Sequence, residues 1–127
     1  MQFLVFILPG VYQKKVDANF KPDIKKMEEM GRFNDDVQKT IKVLGLNGLQ
    51  PLANGARISY SGGKATVTDG PFVEAKEIVG GYWMIEAKSK EEVVNLWKRC
   101  PVETGDVIEI RPIFDLTDLL KDAAVKS

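Results

Sequence analysis

The sequence predicts an α+β chain of ferredoxin-like type, βαββαβ with a β-hairpin inserted at its middle. Three observations carry that expectation. Runs rich in apolar and β-branched residues at Gln2–Leu8, Val79–Ala87 and Val107–Ile113 read as strands. Two segments with apolar residues at three- and four-residue steps read as helices. The resulting order, β-α-β(β-β)-β-α-β, places both helices on one face of an antiparallel sheet.

The first strand, closed by Pro9-Gly10, is apolar on both faces: Phe3, Val5 and Ile7 alternate with Leu4, Phe6 and Leu8. Pro22-Asp23 opens the first helix, with Asp23 favourable at its positive end. Ile24, Met27, Met30, Phe33, Val37, Ile41 and Leu44 form its apolar stripe, and Gly45 is expected to end it. Gly31 within it is expected to permit a close backbone contact. Leu46–Leu52 reads as the next strand. Arg57–Ser61 and Lys64–Thr68 flank Gly62-Gly63, a two-residue hairpin turn that sets Ile58 opposite Val67. In the following strand, Gly80-Gly81 marks a bulge or a close approach. Ser89-Lys90-Glu91-Glu92 is a capping box opening a second helix, whose stripe is Val93, Leu96, Trp97 and Cys100 before Pro101. Asp115–Val125 is expected to be a short tail helix.

Two helices cover one face of a sheet, yet the first strand is apolar on both. A large apolar patch facing water is rare in monomers. A homodimer with sheets packed face to face around a cavity is therefore expected.

Composition narrows the chemistry. With 127 residues, one domain is expected. Lys+Arg and Asp+Glu each number 18, so nothing draws the chain generally to nucleic acid or to an anionic membrane. Without histidine, imidazole triads, dyads and metal sites are excluded. One cysteine excludes an internal disulfide and multi-cysteine metal sites. No metal or cofactor is expected. The apolar run Phe3–Leu8 is too short for a signal peptide and no span of about 20 apolar residues exists, so a cytoplasmic protein is expected.

Two clusters hold candidate site residues. Asp69-Gly70-Pro71-Phe72-Val73-Glu74-Ala75-Lys76-Glu77 combines a sharp turn with ionisable groups. Asp69, Gly70, Pro71, Phe72, Glu74, Lys76 and Glu77 fit a rigid loop binding a polar ligand, although charged loop residues are normally just exposed, which makes a solvated turn anchored by Phe72 the plainer reading. On the last strand, alternation puts Glu109 and Arg111 on the face away from the helices, beside Tyr82 and Met84. They fit a site where Arg111 forks onto a ligand carboxylate, or an ion pair joining two subunits. Asp69 and Glu109 are the candidates for a general base. Cys100 reads as a core residue.

The Asp69–Glu77 segment resembles the DGPF signature, Asp-Gly-Pro-Phe-Ala-Glu-Thr-Lys-Glu, of the DGPF-domain or YCII-related family; Val73 and Ala75 depart from it. Gly80-Gly81-Tyr82-Trp83, Leu49-Gln50-Pro51 and Ile108-Glu109-Ile110-Arg111-Pro112 resemble further landmarks of that family. The resemblance runs from Met1 to Ile113 and implies a domain over 1–113 with a tail over 114–127. It implies a dimeric α/β barrel built from ferredoxin-like subunits. The His-Asp dyad of a related branch has no counterpart here, because the chain has no histidine. The expected function is binding of a small polar or aromatic molecule between the subunits' sheets. A carboxylate acid–base enzyme is the alternative, as is the transcription-related interaction module that descriptions of similar proteins imply.

Overall fold

The computed structural model describes residues 1–13, 19–69 and 78–126. Its elements are β1 (Gln2–Leu8), α1 (Ile24–Thr40), β2 (Lys42–Gly48), β3 (Ala56–Ser61), β4 (Lys64–Asp69), β5 (Gly81–Glu86), α2 (Lys90–Trp97), β6 (Val107–Pro112) and α3 (Leu116–Lys126). Four strands form one antiparallel sheet in the order β2-β5-β1-β6, the ferredoxin-like order, and β3-β4 is a separate hairpin. The α+β expectation holds.

Alternation along β1 sends Phe3, Val5 and Ile7 to the helix side, where Phe3 and Val5 are fully buried. They pack with Trp83 and Ile85 of β5, Phe33 and Val37 of α1, and Val93, Leu96 and Trp97 of α2. Burying a Phe, Ile or Val side chain contributes about 1.5–3 kcal/mol each, so this layer dominates stability. Phe33, Trp83 and Trp97 meet edge to face at its centre, with ring centroids 5.6 to 6.4 Å apart.

Asp23 caps α1 by accepting from the Lys25 N–H at 3.1 Å. Ser89 caps α2 by accepting from the Glu92 N–H at 3.2 Å, while the Glu92 carboxylate reaches back to the Lys88 N–H at 3.3 Å. The hairpin pairs Ile58 with Val67 across Gly62 and Gly63, whose φ of 58° and 76° only glycine adopts without strain.

Three local expectations are corrected. α1 stops at Thr40 instead of running to Leu44: Ile41 is extended and its N–H closes the helix on the Val37 carbonyl at 3.0 Å. Thr40, Ile41 and Val43 are β-branched and favour the strand. β2 therefore occupies Lys42–Gly48 rather than 46–52, and Gly45 lies beside a register shift after Val43 instead of capping a helix. Gly31 faces open space, with nothing within 4 Å of where a Cβ would stand. The close approach expected at Gly80-Gly81 is present at Gly81, where a Cβ would lie 3.0 Å from the Asn47 carbonyl oxygen and 3.3 Å from Ile7.

α3 forms in the tail and is capped by Asp115, whose Oδ1 accepts from the Thr117 and Asp118 N–H groups at 2.9 and 3.3 Å. Leu116 and Leu120 on it are exposed, as is Phe114 just before it. Among the described residues, no helix is long and apolar enough to cross a membrane.

Candidate functional site

The apolar stripe of α1 begins before the sheet can cover it. Phe33 and Val37 are buried, whereas Met27 is 56% exposed and Met30 half-buried. Between this end of the helix and the sheet lies a cavity of about 560 Å³. Ile7 of β1, Leu46 of β2 and Trp83 of β5 line it from the sheet, and Met27, Met30 and Asn34 line it from α1. The volume is typical of small-molecule sites.

From α1, Asn34 brings an amide to the cavity. Trp83 Nε1–H donates to Asn34 Oδ1 at 2.8 Å. An indole nitrogen only donates, so the partner atom must be the amide oxygen, and the Asn34 NH2 group is left over. Among the described residues nothing accepts from it.

The mouth of the cavity is charged, and apart from the exposed Lys21 its ionic groups are internally committed. Lys26 pairs with Glu103 across the gap between α1 and the loop leading to β6. That contact lifts the Lys26 ammonium above its ordinary pKa of 10.5, chiefly through the hydrogen bond to Glu103. Asp106 accepts from the Gly10 N–H at 2.8 Å and from the Glu103 N–H at 2.9 Å, one bond on each oxygen. The chain passes so close here that a Cβ on Gly10 would sit 3.2 Å from Gly105. Asp23 is occupied as the helix cap. Cys100 lies behind the wall with its Sγ 3.9 Å from Met30 Sδ, and burial pushes its thiol up to about 12.

Several residues singled out from the sequence meet on the opposite face of the sheet. Register places Tyr82, Phe6 and Glu109 in one row, and Met84, Leu4 and Arg111 in the next. The Tyr82 hydroxyl accepts from Asn47 Nδ2 at 2.9 Å. Glu109 and Arg111 are exposed, and no ion pair joins them among the described residues. Among the described residues, Tyr82 is also the one sequence candidate lining the cavity. Gly70, Pro71, Phe72, Glu74, Lys76 and Glu77 lie outside the described residues, and Asp69 is described only as the last backbone position of β4.

Asn34, Met27, Met30 and Asp106 were not legible as a site. A signal existed: Asn34 stands four residues after Met30 and three before Val37, a polar residue on an apolar row. Among the described residues, no group of three His, Cys, Asp or Glu side chains is placed to hold a metal ion. A family profile described as the YCII-related domain matches residues 4–117. The curated proteins contain no match.

Proposed function

Because the chain belongs to the YCII-related family and encloses a cavity within a single subunit, we propose that it binds a small organic molecule between α1 and the sheet. The observation that carries this reading is the 560 Å³ space walled by Met27, Met30, Ile7, Leu46 and Trp83, with one uncommitted amide at Asn34. Binding is favoured over carboxylate acid–base catalysis by the same geometry. Both Asp106 oxygens accept backbone N–H groups, Glu103 is held by Lys26, and Asp23 caps its helix.

The test is thermal unfolding against a broad panel of metabolites, in the wild type and in Met27→Trp. Met27 is more than half exposed, so a larger side chain there narrows the cavity with little strain in the core. A ligand at 100-fold its Kd adds about 2.7 kcal/mol. Hits lost in Met27→Trp support the reading. Hits that survive it, or no hits, overturn it.

The apolar open face supports a second reading, a homodimer. Leu4 and Phe6 of β1 and Met84 of β5 turn away from the helices. The hairpin leaves Ile58, Tyr60 and Val67 exposed, and an isolated two-stranded hairpin is marginal in water. A facing subunit supplies the missing cover for the sheet and brings Glu109 and Arg111 to the rim of a space between two sheets. Sedimentation equilibrium of Phe6→Glu beside the wild type tests this: a dimer that turns monomeric supports it, and a monomeric wild type refutes it.

A further inference from the structure

We propose that the cavity between α1 and the sheet selects a planar, uncharged aromatic molecule bearing a hydrogen-bond acceptor, with the Asn34 amide donating to that acceptor. This rests on the small-molecule reading above and specifies its ligand class.

Three observations converge on it. The first is the donor inventory. Trp83 Nε1–H consumes the Asn34 oxygen, which leaves an NH2 group as the polar feature that α1 offers the interior. Placing a guest without an acceptor there strands that donor away from water with its hydrogen bond unmade. The second is charge. Of the ionic groups at the mouth, Lys26, Glu103, Asp106 and Asp23 already have partners within the protein, and Lys21 is exposed to water. A charged guest would lose its hydration inside, and the solvent-exposed Lys21 offers only a screened counter-charge. The third is wall chemistry. Met27 and Met30 on one side and the Trp83 indole on the other form a soft, polarisable slot. Thioethers contact aromatic rings favourably and adapt to their outline.

The two faces of Asn34 make the idea separable from a purely structural role. Asn34→Asp keeps an oxygen for the Trp83 N–H, removes the NH2 donor and adds a carboxylate charge, so Asn34→Ala, which adds none, is measured beside it. The probes are 2-acetonaphthone and 2-ethylnaphthalene, near-isosteres that differ in one carbonyl. Their dissociation constants are measured by quenching of tryptophan emission. Comparing the ketone-to-hydrocarbon ratio between the two proteins cancels the probes' unequal hydrophobicity.

The expected result is that the ketone's advantage falls about tenfold in Asn34→Asp, the factor that corresponds to one unmet hydrogen bond. The tryptophan emission maximum should stay where it is in the wild type. An unchanged ratio, with both probes still excluded by Met27→Trp, overturns the acceptor rule and leaves the cavity reading standing. No binding of either probe to the wild type overturns the aromatic-ligand proposal, while the metabolite panel decides the small-molecule reading on its own. If Asn34→Asp does not fold, Asn34→Ala alone supplies the probe ratio, because the loss of the Trp83 acceptor is common to both probes.

Discussion

Trp83 and Trp97 pack edge to face at 5.6 Å in one core, yet one indole N–H is bonded and the other is not. Trp83 donates to Asn34, whereas the buried Trp97 Nε1 has no partner among the described residues. Two chemically identical groups in one aromatic cluster thus carry opposite polar accounts.

Replacing each by Phe removes the same atoms from both. Trp97→Phe deletes an unsatisfied donor, and that relief offsets part of the lost packing. Trp83→Phe breaks a hydrogen bond and also leaves the Asn34 oxygen unmet. Trp83→Phe is expected to be more destabilising by about 1–2 kcal/mol, read from denaturant midpoints at matched m-values. Equal losses would show that the Asn34 contact contributes nothing.

Gly31 and Gly81 should respond with opposite signs. Gly31 lies inside α1 with open space around a Cβ, so Gly31→Ala is expected to stabilise by about 0.5–1 kcal/mol through helix propensity. At Gly81 the new methyl group meets the Asn47 carbonyl at 3.0 Å, on the backbone of the neighbouring strand. Gly81→Ala should cost about 1–3 kcal/mol by forcing β2 and β5 apart. Paired thermal melts decide both.

Asp106→Asn tests the clasp at the cavity mouth. The carboxylate accepts two backbone N–H bonds, while an amide offers one oxygen and turns an NH2 group toward the second N–H. A loss of about 1–3 kcal/mol is expected. Faster amide hydrogen exchange at Gly10 or Glu103 would identify which bond was given up.

Two groups define an alkaline limit with the same sign. Burial raises the folded Cys100 pKa from 9.0 to about 12. The unfolded thiol ionises first, so this contribution is whole below pH 9 and is lost as pH rises toward 12. The Lys26 ammonium, lifted above 10.5 by Glu103, contributes below that value and is lost as pH passes through its folded pKa. Its contact is exposed and screened by salt. Melting temperature should therefore fall from about pH 9 upward, with a later onset in Cys100→Ala. Native Cys100 should also resist iodoacetamide at neutral pH and react once the chain is unfolded. Rapid native labelling would contradict the burial.

The sequence carried the succession of elements, the start of α1 at Asp23, the capping box of α2 and the hairpin register because each rests on local chemistry: alternation in Gln2–Leu8, Ser89 three residues before Glu92, Gly62-Gly63 between β-formers. The end of α1 was ambiguous, since Val37, Ile41 and Leu44 satisfy a helical step while Ile41 and Val43 satisfy a strand. Sheet registration decides between them, and that is a long-range fact. The cavity was hidden for a related reason. Met27 and Met30 read as ordinary core, and only the position of the sheet's end reveals that nothing covers them. Asp106 meeting Gly10 depends on chain separated by 96 positions.

The central place of β1 sets an order of events during synthesis. Its two neighbours, β5 and β6, are the last two of the six described strands to leave the ribosome's reach, ending at Glu86 and Pro112. Until then the strand Gln2–Leu8, apolar on both sides, has no edge to join. The local pieces, α1 and the β3-β4 hairpin, are complete long before the sheet that gives them a place. Formation of that sheet waits for loop closures spanning most of the chain, which slows folding and lengthens the interval in which β1 is open to pairing with other molecules.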